Sequence, residues 1–322
     1  MPLLEARETG LYCPGGDFWI DPVLPVPRAV ITHAHGDHVA AGSAAYLTAA
    51  PGEPLLRARL SPDARIQPLP YAEPLSLGGV RLSLHPSGHI LGAAQVRLER
   101  GGEVWVVSGD FKLHPDPTCA PFEPLRCHVF VTESTFALPV FRWPPEAEVF
   151  AAIHAWWRAN REAGKTSLLF AHPLGKAQRL LAGLDTSVGP ILAHESVEGF
   201  SRLYRAQGVA LPPAGESDGP GALVLAPPLA HASPWARRFG AASTAMASGW
   251  MRVRGTRRRR SLDRGFVLSD HADWPALLHA IDATGAETVW VAHGYRAPLV
   301  RWLEEHGRRA LALDLRPAEA ES

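Results

Sequence analysis

The stretch Thr32-His33-Ala34-His35-Gly36-Asp37-His38 places three histidines and a carboxylate within six residues. A packed core has no use for such a set, because its polar groups must be paired and its charges offset. A loop aimed at metal does. His33 and His35 converge on one ion when the turn between them is tight, and Ala34 leaves room for that turn. Asp37 and His38 are adjacent, so their side chains diverge and reach a second ion close by. Nitrogen and carboxylate donors of this kind suit Zn²⁺, and equally Mn²⁺ or Fe²⁺.

Elements must deliver that loop. Arg28-Ala29-Val30-Ile31 reads as a strand leading into it, and the small-residue segment from Val39 to Ala45 as the start of a helix. Asp17-Phe18-Trp19-Ile20-Asp21-Pro22 reads as a short strand ending in an acid, although Asp-Pro also forms turns by itself. Residues 46–84 alternate short apolar runs with Pro and Gly, the pattern of short strands and turns. The run around Val80 to Leu84 then leads into a loop carrying His85 and His89, where Gly88 permits tight geometry. Val104 to Val107 leads to Gly109-Asp110, and Val129 to Thr132 leads to Glu133. Phe266-Val267-Leu268 leads to His271 and Asp273, and Thr288 to Ala292 leads to His293. Between the last two, Pro275 to Ala283 reads as a helix with Leu277, Leu278 and Ile281 inward. Strand, helix and strand in that order predict a parallel pair, with His271 and His293 emerging at one sheet edge.

After Leu138 the pattern changes. Pro139, Pro144 and Pro145 break the strand, and Glu146 to Gly164 takes helical spacing through Val149, Ile153, Trp156 and Trp157. Thr166 to Ala171 reads as a buried strand and Gly175 to Leu184 as a second helix. This alternation, continuing to about residue 246, predicts a small α/β domain inserted into the first. The expected organisation is therefore residues 1–138 and 247–322 as one core and residues 139–246 as the insertion.

Composition excludes several classes. Hydrophobic residues make up 46% and charged residues 20%, which predicts a soluble protein with a real core rather than a disordered chain. Lysine and arginine equal aspartate and glutamate at 32 each, so bulk charge attracts no nucleic acid and any attraction must be local. Arg252 to Arg264 supplies such a cluster, with seven arginines against one aspartate in thirteen residues. Guanidinium groups pair with phosphate oxygens bidentately. Cys13, Cys119 and Cys127 are odd in number without CxxC spacing, which argues against a disulfide framework and for a reducing cytoplasm. The sequence lacks a run of 18 apolar residues, so no membrane span is expected.

These motifs together resemble the metallo-β-lactamase superfamily. His33-Ala34-His35-Gly36-Asp37-His38 is similar to its metal signature, and Ser87-Gly88-His89-Ile90-Leu91-Gly92-Ala93-Ala94 to its nucleic-acid-processing branch. Glu133-Ser134-Thr135-Phe136, Ser269-Asp270-His271-Ala272-Asp273 and Val291-Ala292-His293-Gly294 resemble the motifs of the β-CASP group within it. The implied fold is α/β, a metallo-β-lactamase αββα sandwich with an inserted small α/β cap. The resemblance implies two divalent ions, zinc or manganese. His33, His35 and His89 would hold one, and Asp37, His38 and His293 the other, with Asp110 bridging and Asp21 and Asp273 in support. It further implies hydrolysis of phosphodiester bonds by a hydroxide held between the ions. His271 would assist the leaving group, Glu133 would orient it, and Asp37 would count among the catalytic residues. Lys176, Arg179, Arg252, Arg254, Arg257, Arg258, Arg259 and Arg260 are the expected nucleic-acid contacts. The Gly10 to Asp17 opening, the short cap and the arginine run look most like bacterial ligase-associated DNA exonucleases. That likeness favours DNA as substrate, repair as setting and a DNA ligase as functional partner. An RNA-processing nuclease with the same catalytic set is the alternative. A thioester hydrolase of this fold would leave Glu133 and His271 without purpose.

Overall fold

The computed structural model describes residues 2–215, 221–231, 233–253, 255 and 261–314. The chain divides into two compact units, one formed up to Pro139 and again from His271, the other by Val140–Asp270.

The first unit is built on two sheets. Six short strands from Glu5–Arg7 to Ile66–Leu69 lie in sequence order, the first three antiparallel and the rest parallel. The second sheet has seven, ordered Arg309–Ala312, Thr288–Val291, Val129–Thr132, Glu103–Val107, Ala94–Arg100, Val80–Pro86 and Leu75–Leu77. Alternation along its central strands explains why it is covered on both faces. Trp105, Val107, Val129 and Val131 pack with Leu11, Val30 and Leu47 of the first sheet. Val106, Phe130 and Val289 point the other way, onto Leu277, Ile281, Leu299 and Leu303 of the helices Trp274–Thr284 and Arg296–Glu305. The expected α/β class holds, and the fold is metallo-β-lactamase-like. The segment 46–84 is largely short strands and turns, and its α-helix, Glu53–Arg57, is one turn long.

The second unit is a five-stranded parallel sheet, ordered Ile191–Ala193, Leu223–Ala226, Thr166–Phe170, Ala242–Ala247 and Arg264–Phe266. Glu146–Glu162 buries Val149, Ile153, Trp156 and Trp157 on one side, and Trp157 donates its indole N–H to the Gly221 carbonyl at 3.0 Å. Among the described residues, no helix is long and apolar enough to cross a membrane.

Three expectations are corrected. Residues 39–45 are not helical: Gly42 takes φ +91°, and the Ser43 and Tyr46 hydroxyls donate to the Ala40 carbonyl, closing a turn instead. The chain leaves the inserted unit at Asp270 rather than at 246, because Arg264–Phe266 pairs in parallel with Ala242–Ala247. For the same reason the strand before His271 does not pair with Thr288–Val291. The two belong to different sheets, and His271 rides on the loop that re-enters the first unit.

Candidate metal centre

Sheet direction gathers the chemistry. Glu103–Val107, Val129–Thr132 and Thr288–Val291 run parallel, so Asp110, Glu133 and His293 all follow carboxyl-terminal strand ends on one edge. Val80–Pro86 is separated from Glu103–Val107 by two antiparallel steps and so shares its direction, bringing His89 to the same edge. In the facing sheet Ile20 and Val30 are parallel partners, which sets Asp21 beside Thr32 at the start of the histidine loop.

Ala292-His293-Gly294 is held by Ser134, whose hydroxyl donates to the Ala292 carbonyl at 3.1 Å and to the His293 carbonyl. His293 takes φ +51° and Gly294 φ +62°, and a Cβ on Gly294 would stand 2.3 Å from the Ser134 carbonyl oxygen. The left-handed turn that presents His293 thus depends on a glycine after it.

Two groupings emerge among the described residues: His33, His35, His89 and Asp110, all buried, and Asp110, Glu133 and His271, also buried. His35 Nδ1 and His89 Nε2 are 3.2 Å apart, His33 Nε2 and Asp110 Oδ2 3.5 Å, and His89 Nε2 and Asp110 Oδ2 3.7 Å. Ligand atoms on a tetrahedral ion of zinc size stand about 3.4 Å from one another. His38 Nε2 lies 3.6 Å from the same Asp110 oxygen and 3.7 Å from Asp37 Oδ2, and the His38 and His293 rings are 5.7 Å apart. Asp37, His38, Glu133 and His293 line one cavity. Asp110 is thus the carboxylate towards which His33, His89 and His38 all turn.

Electrostatics test the fit to metal. Burial, reinforced by the neighbouring histidines, pushes His33 well below the ordinary imidazole range, so it is neutral and ready to ligate. Its Nε2 is buried without a hydrogen-bond partner, a cost that a cation at that atom removes. Burial raises the Asp110 carboxyl to about 8 although His38 and His271 pull it down. Burial opposes charge on His38 too, but Asp110, Asp21 and Asp37 outweigh it and lift His38 to about 10. These donors fit divalent metal.

Beside the cluster, His271 Nδ1 lies 3.0 Å from both oxygens of Glu133, and the Phe111 N–H donates to Glu133 Oε1 at 3.0 Å. Burial would raise the Glu133 carboxyl, but the His271 charge and hydrogen bond, with those from Thr135 and Phe111, bring it down to about 2. Ala272 N–H donates to the Phe111 carbonyl at 2.7 Å, locking the two loops together. Asp273 caps the helix Trp274–Thr284 through the Ala276 N–H at 3.1 Å, which fixes the backbone two residues beyond His271. His85, the other histidine near His89, faces Ser83 at 3.0 Å and Glu123 at 3.1 Å.

No family model matches the chain. Over 318 residues it is 34% identical to a protein of Opitutus terrae named "Probable DNA ligase", covering 97% of this chain and 31% of that one. Over 146 residues it is 29% identical to "Endoribonuclease YSH1" of Yarrowia lipolytica, covering 44% of this chain and 17% of the relative. The chain thus spans a third or less of the length of these two relatives. A solved structure of a protein of unknown function from Enterococcus faecalis V583 superposes with a TM-score of 0.62 at 12% identity, over 91% of this chain and 80% of the other. That likeness carries the fold.

The expected basic contacts divide. Lys176 and Arg179 are buried, with exposures of 4% and 5%. The Lys176 ammonium lies 2.9 Å from Asp270, and Arg179 is engaged by Glu146 and the Ser269 carbonyl. They brace the inserted unit rather than face a phosphate chain, which corrects the expectation for both. Arg252 is exposed, its Nε donating to the Val140 carbonyl at 3.2 Å. Arg254 and Arg257 to Arg260 lie outside the described residues.

Two residues escaped the sequence reading. Thr32 hydrogen-bonds both Asp21 and His33. Its place directly before His33 was a usable signal. Arg59 lies with Nη1 3.5 Å from where a Cβ on Gly36 would stand, and its charge couples to Asp37. Only tertiary structure brings it there.

Proposed function

We propose that this chain is a metal-dependent nuclease of the β-CASP kind, hydrolysing phosphodiester bonds. The single observation that carries the reading is the buried Glu133–His271 pair beside the His33, His35, His89 and Asp110 group. A metal site alone has no need of it. An acid–base pair next to the ions is what expulsion of a nucleoside oxygen requires. Two divalent ions held by the histidine and aspartate set, zinc or manganese, would supply an activated water and charge for the phosphoryl oxygens. Asp110 would serve both ions, with Asp37, His38 and His293 on the second. The chain's own residues do the rest. With Nδ1–H committed to Glu133, His271 offers Nε2 to the departing oxygen. Glu133, ionised and hydrogen-bonded, keeps the ring oriented and favours its protonated form. Arg252, Arg254 and the Arg257 to Arg260 run are the contacts proposed for the phosphate chain.

DNA is the favoured substrate and exonucleolytic repair in the cytoplasm the favoured role, in functional association with a DNA ligase. Support comes from the relative named as a DNA ligase, whose match takes in almost the whole of this chain. RNA is the second reading, favoured by the relative named as an endoribonuclease. Cleavage of matched end-labelled DNA and RNA, single- and double-stranded, with zinc or manganese decides between them. Asp37→Ala and His271→Ala are expected to abolish cleavage while retaining the fold. Full turnover in either variant would remove the nuclease reading.

A further inference from the structure

Hydrogen counting around Asp21 shows how the two ligand sets are tied together. Asp21 Oδ1 accepts the Thr32 N–H at 2.8 Å, and Oδ2 accepts the Thr32 hydroxyl at 2.6 Å. That hydroxyl has one proton, and it goes to Asp21. Towards His33 Nδ1, 3.0 Å away, Thr32 Oγ1 can then only accept, so His33 carries its proton on Nδ1. The Nε2 lone pair is left facing Asp110 at 3.5 Å. On the other side His38 Nδ1 donates to the same Asp21 Oδ2 at 2.8 Å, leaving Nε2 towards Asp110 and Asp37. The two imidazoles are 4.0 Å apart and belong to different ligand sets. One carboxylate reaches both, one directly and the other through a hydroxyl.

We propose that Thr32 is a positioning residue that relays Asp21 to His33 and fixes Nε2 as its ligand atom, so that Asp21 sets the ligands of both ions while Thr32 serves one. The surroundings are shaped for it. Thr32 is wholly buried. Gly109, at φ +56°, comes so near that a Cβ there would stand 2.8 Å from Thr32 Oγ1, so the Gly before Asp110 is what admits the hydroxyl. Asp21 itself takes φ +43°, a conformation costly for a non-glycine residue and held here by its bonds to Thr32 and His38. Removing a hydrogen bond to a metal-bound histidine typically weakens the ion about 10–100-fold.

The inference rests on the metal-centre reading and is tested without activity, by zinc titration of metal-stripped protein against a chromophoric chelator. Wild-type protein is expected to take up zinc in two steps. Thr32→Val keeps the shape and removes the hydroxyl. It is expected to weaken one step about 10–100-fold, the same step that His35→Ala abolishes, and to leave the other unchanged, which also certifies the fold. Thr32→Ser restores the weakened step, and Asp21→Asn weakens both. Cobalt substitution adds a spectroscopic signature, with the absorption of one ion altered in Thr32→Val. The relay is overturned if Thr32→Val binds both ions as wild type does, weakens both equally, or is not rescued by serine. Wild-type protein that takes up no zinc overturns the metal centre itself and the relay with it.

Discussion

Glu133→Gln removes the charge beside His271 and one of the two acceptors facing it. Glu133 is 3% exposed and accepts from His271 Nδ1 and the Phe111 N–H. Glutamine fills the same volume and its oxygen still accepts from the Phe111 N–H, so no cavity opens; the charge is lost, and the amide NH2 replaces one of the two oxygens that face His271 Nδ1. The carboxyl sits at about 2 in place of its ordinary 4.5, which corresponds to stabilisation on the order of 3 kcal/mol at neutral pH. For a domain of this size that lowers the melting temperature by about 6–12 °C. The sign is fixed by the direction of the shift. A folded value below the unfolded one stabilises fully above about pH 4.5 and fades as pH falls through about 2. The gap between wild type and variant should therefore be full at pH 7 and shrink to about 1–1.5 kcal/mol at pH 3. Urea unfolding of chelator-treated protein measures it, with bound metal out of the comparison. In metal-loaded protein the same variant should lose about 10²-fold in single-turnover cleavage, the lower end of what a general acid contributes. A stability gap that stays constant between pH 3 and pH 7, together with an unchanged single-turnover rate, would refute the assignment of charge and role.

Other perturbations follow from the same geometry. Asp110→Asn removes the carboxylate shared by His33, His89 and His38, so zinc content by mass spectrometry should drop below the wild-type stoichiometry for both ions. Arg59→Met removes a guanidinium coupled to Asp37. If that charge meets a phosphate, nucleic-acid binding weakens and the slope of log affinity against log salt becomes shallower by about one; an unchanged slope removes Arg59 from the interface. Gly294→Ala drives a Cβ to 2.3 Å from the Ser134 carbonyl at a left-handed position, so thermal unfolding should show a loss of about 1–3 kcal/mol and the His293 ion should bind more weakly.

The histidine loop was legible because its meaning is local. Four polar groups within six residues already share one loop, and no distant residue is needed to bring them together. The strand ends at Asp110, Glu133 and His293 were legible for a different reason. In each, an apolar run leads within three residues to an ionisable group, and parallel strands bring such ends to one edge. What misled was pairing. Phe266 and Thr288 flank a helix in the manner of a parallel unit, yet Arg264–Phe266 is taken by the inserted sheet through Ala245, Met246 and Ala247. Local pattern fixes that a segment is a strand, and only tertiary competition decides which sheet receives it. The same blindness applies to charge. Lys176 and Arg179 read as surface cations until Asp270 and Glu146, each more than 30 positions away in sequence, proved to bury them. Arg59 shows the converse, a residue without a motif that the fold carries to the histidine loop. The donor groups of the candidate site are therefore a property of short sequence. The hydrogen bonds that orient these histidines, from Asp21 through Thr32 to His33 and directly to His38, join separate strands and exist only once the first sheet has formed. Metal affinity should accordingly be lost with the pairing of Phe18–Ile20 to Ala29–Val30, although every ligand is still present in the unfolded chain.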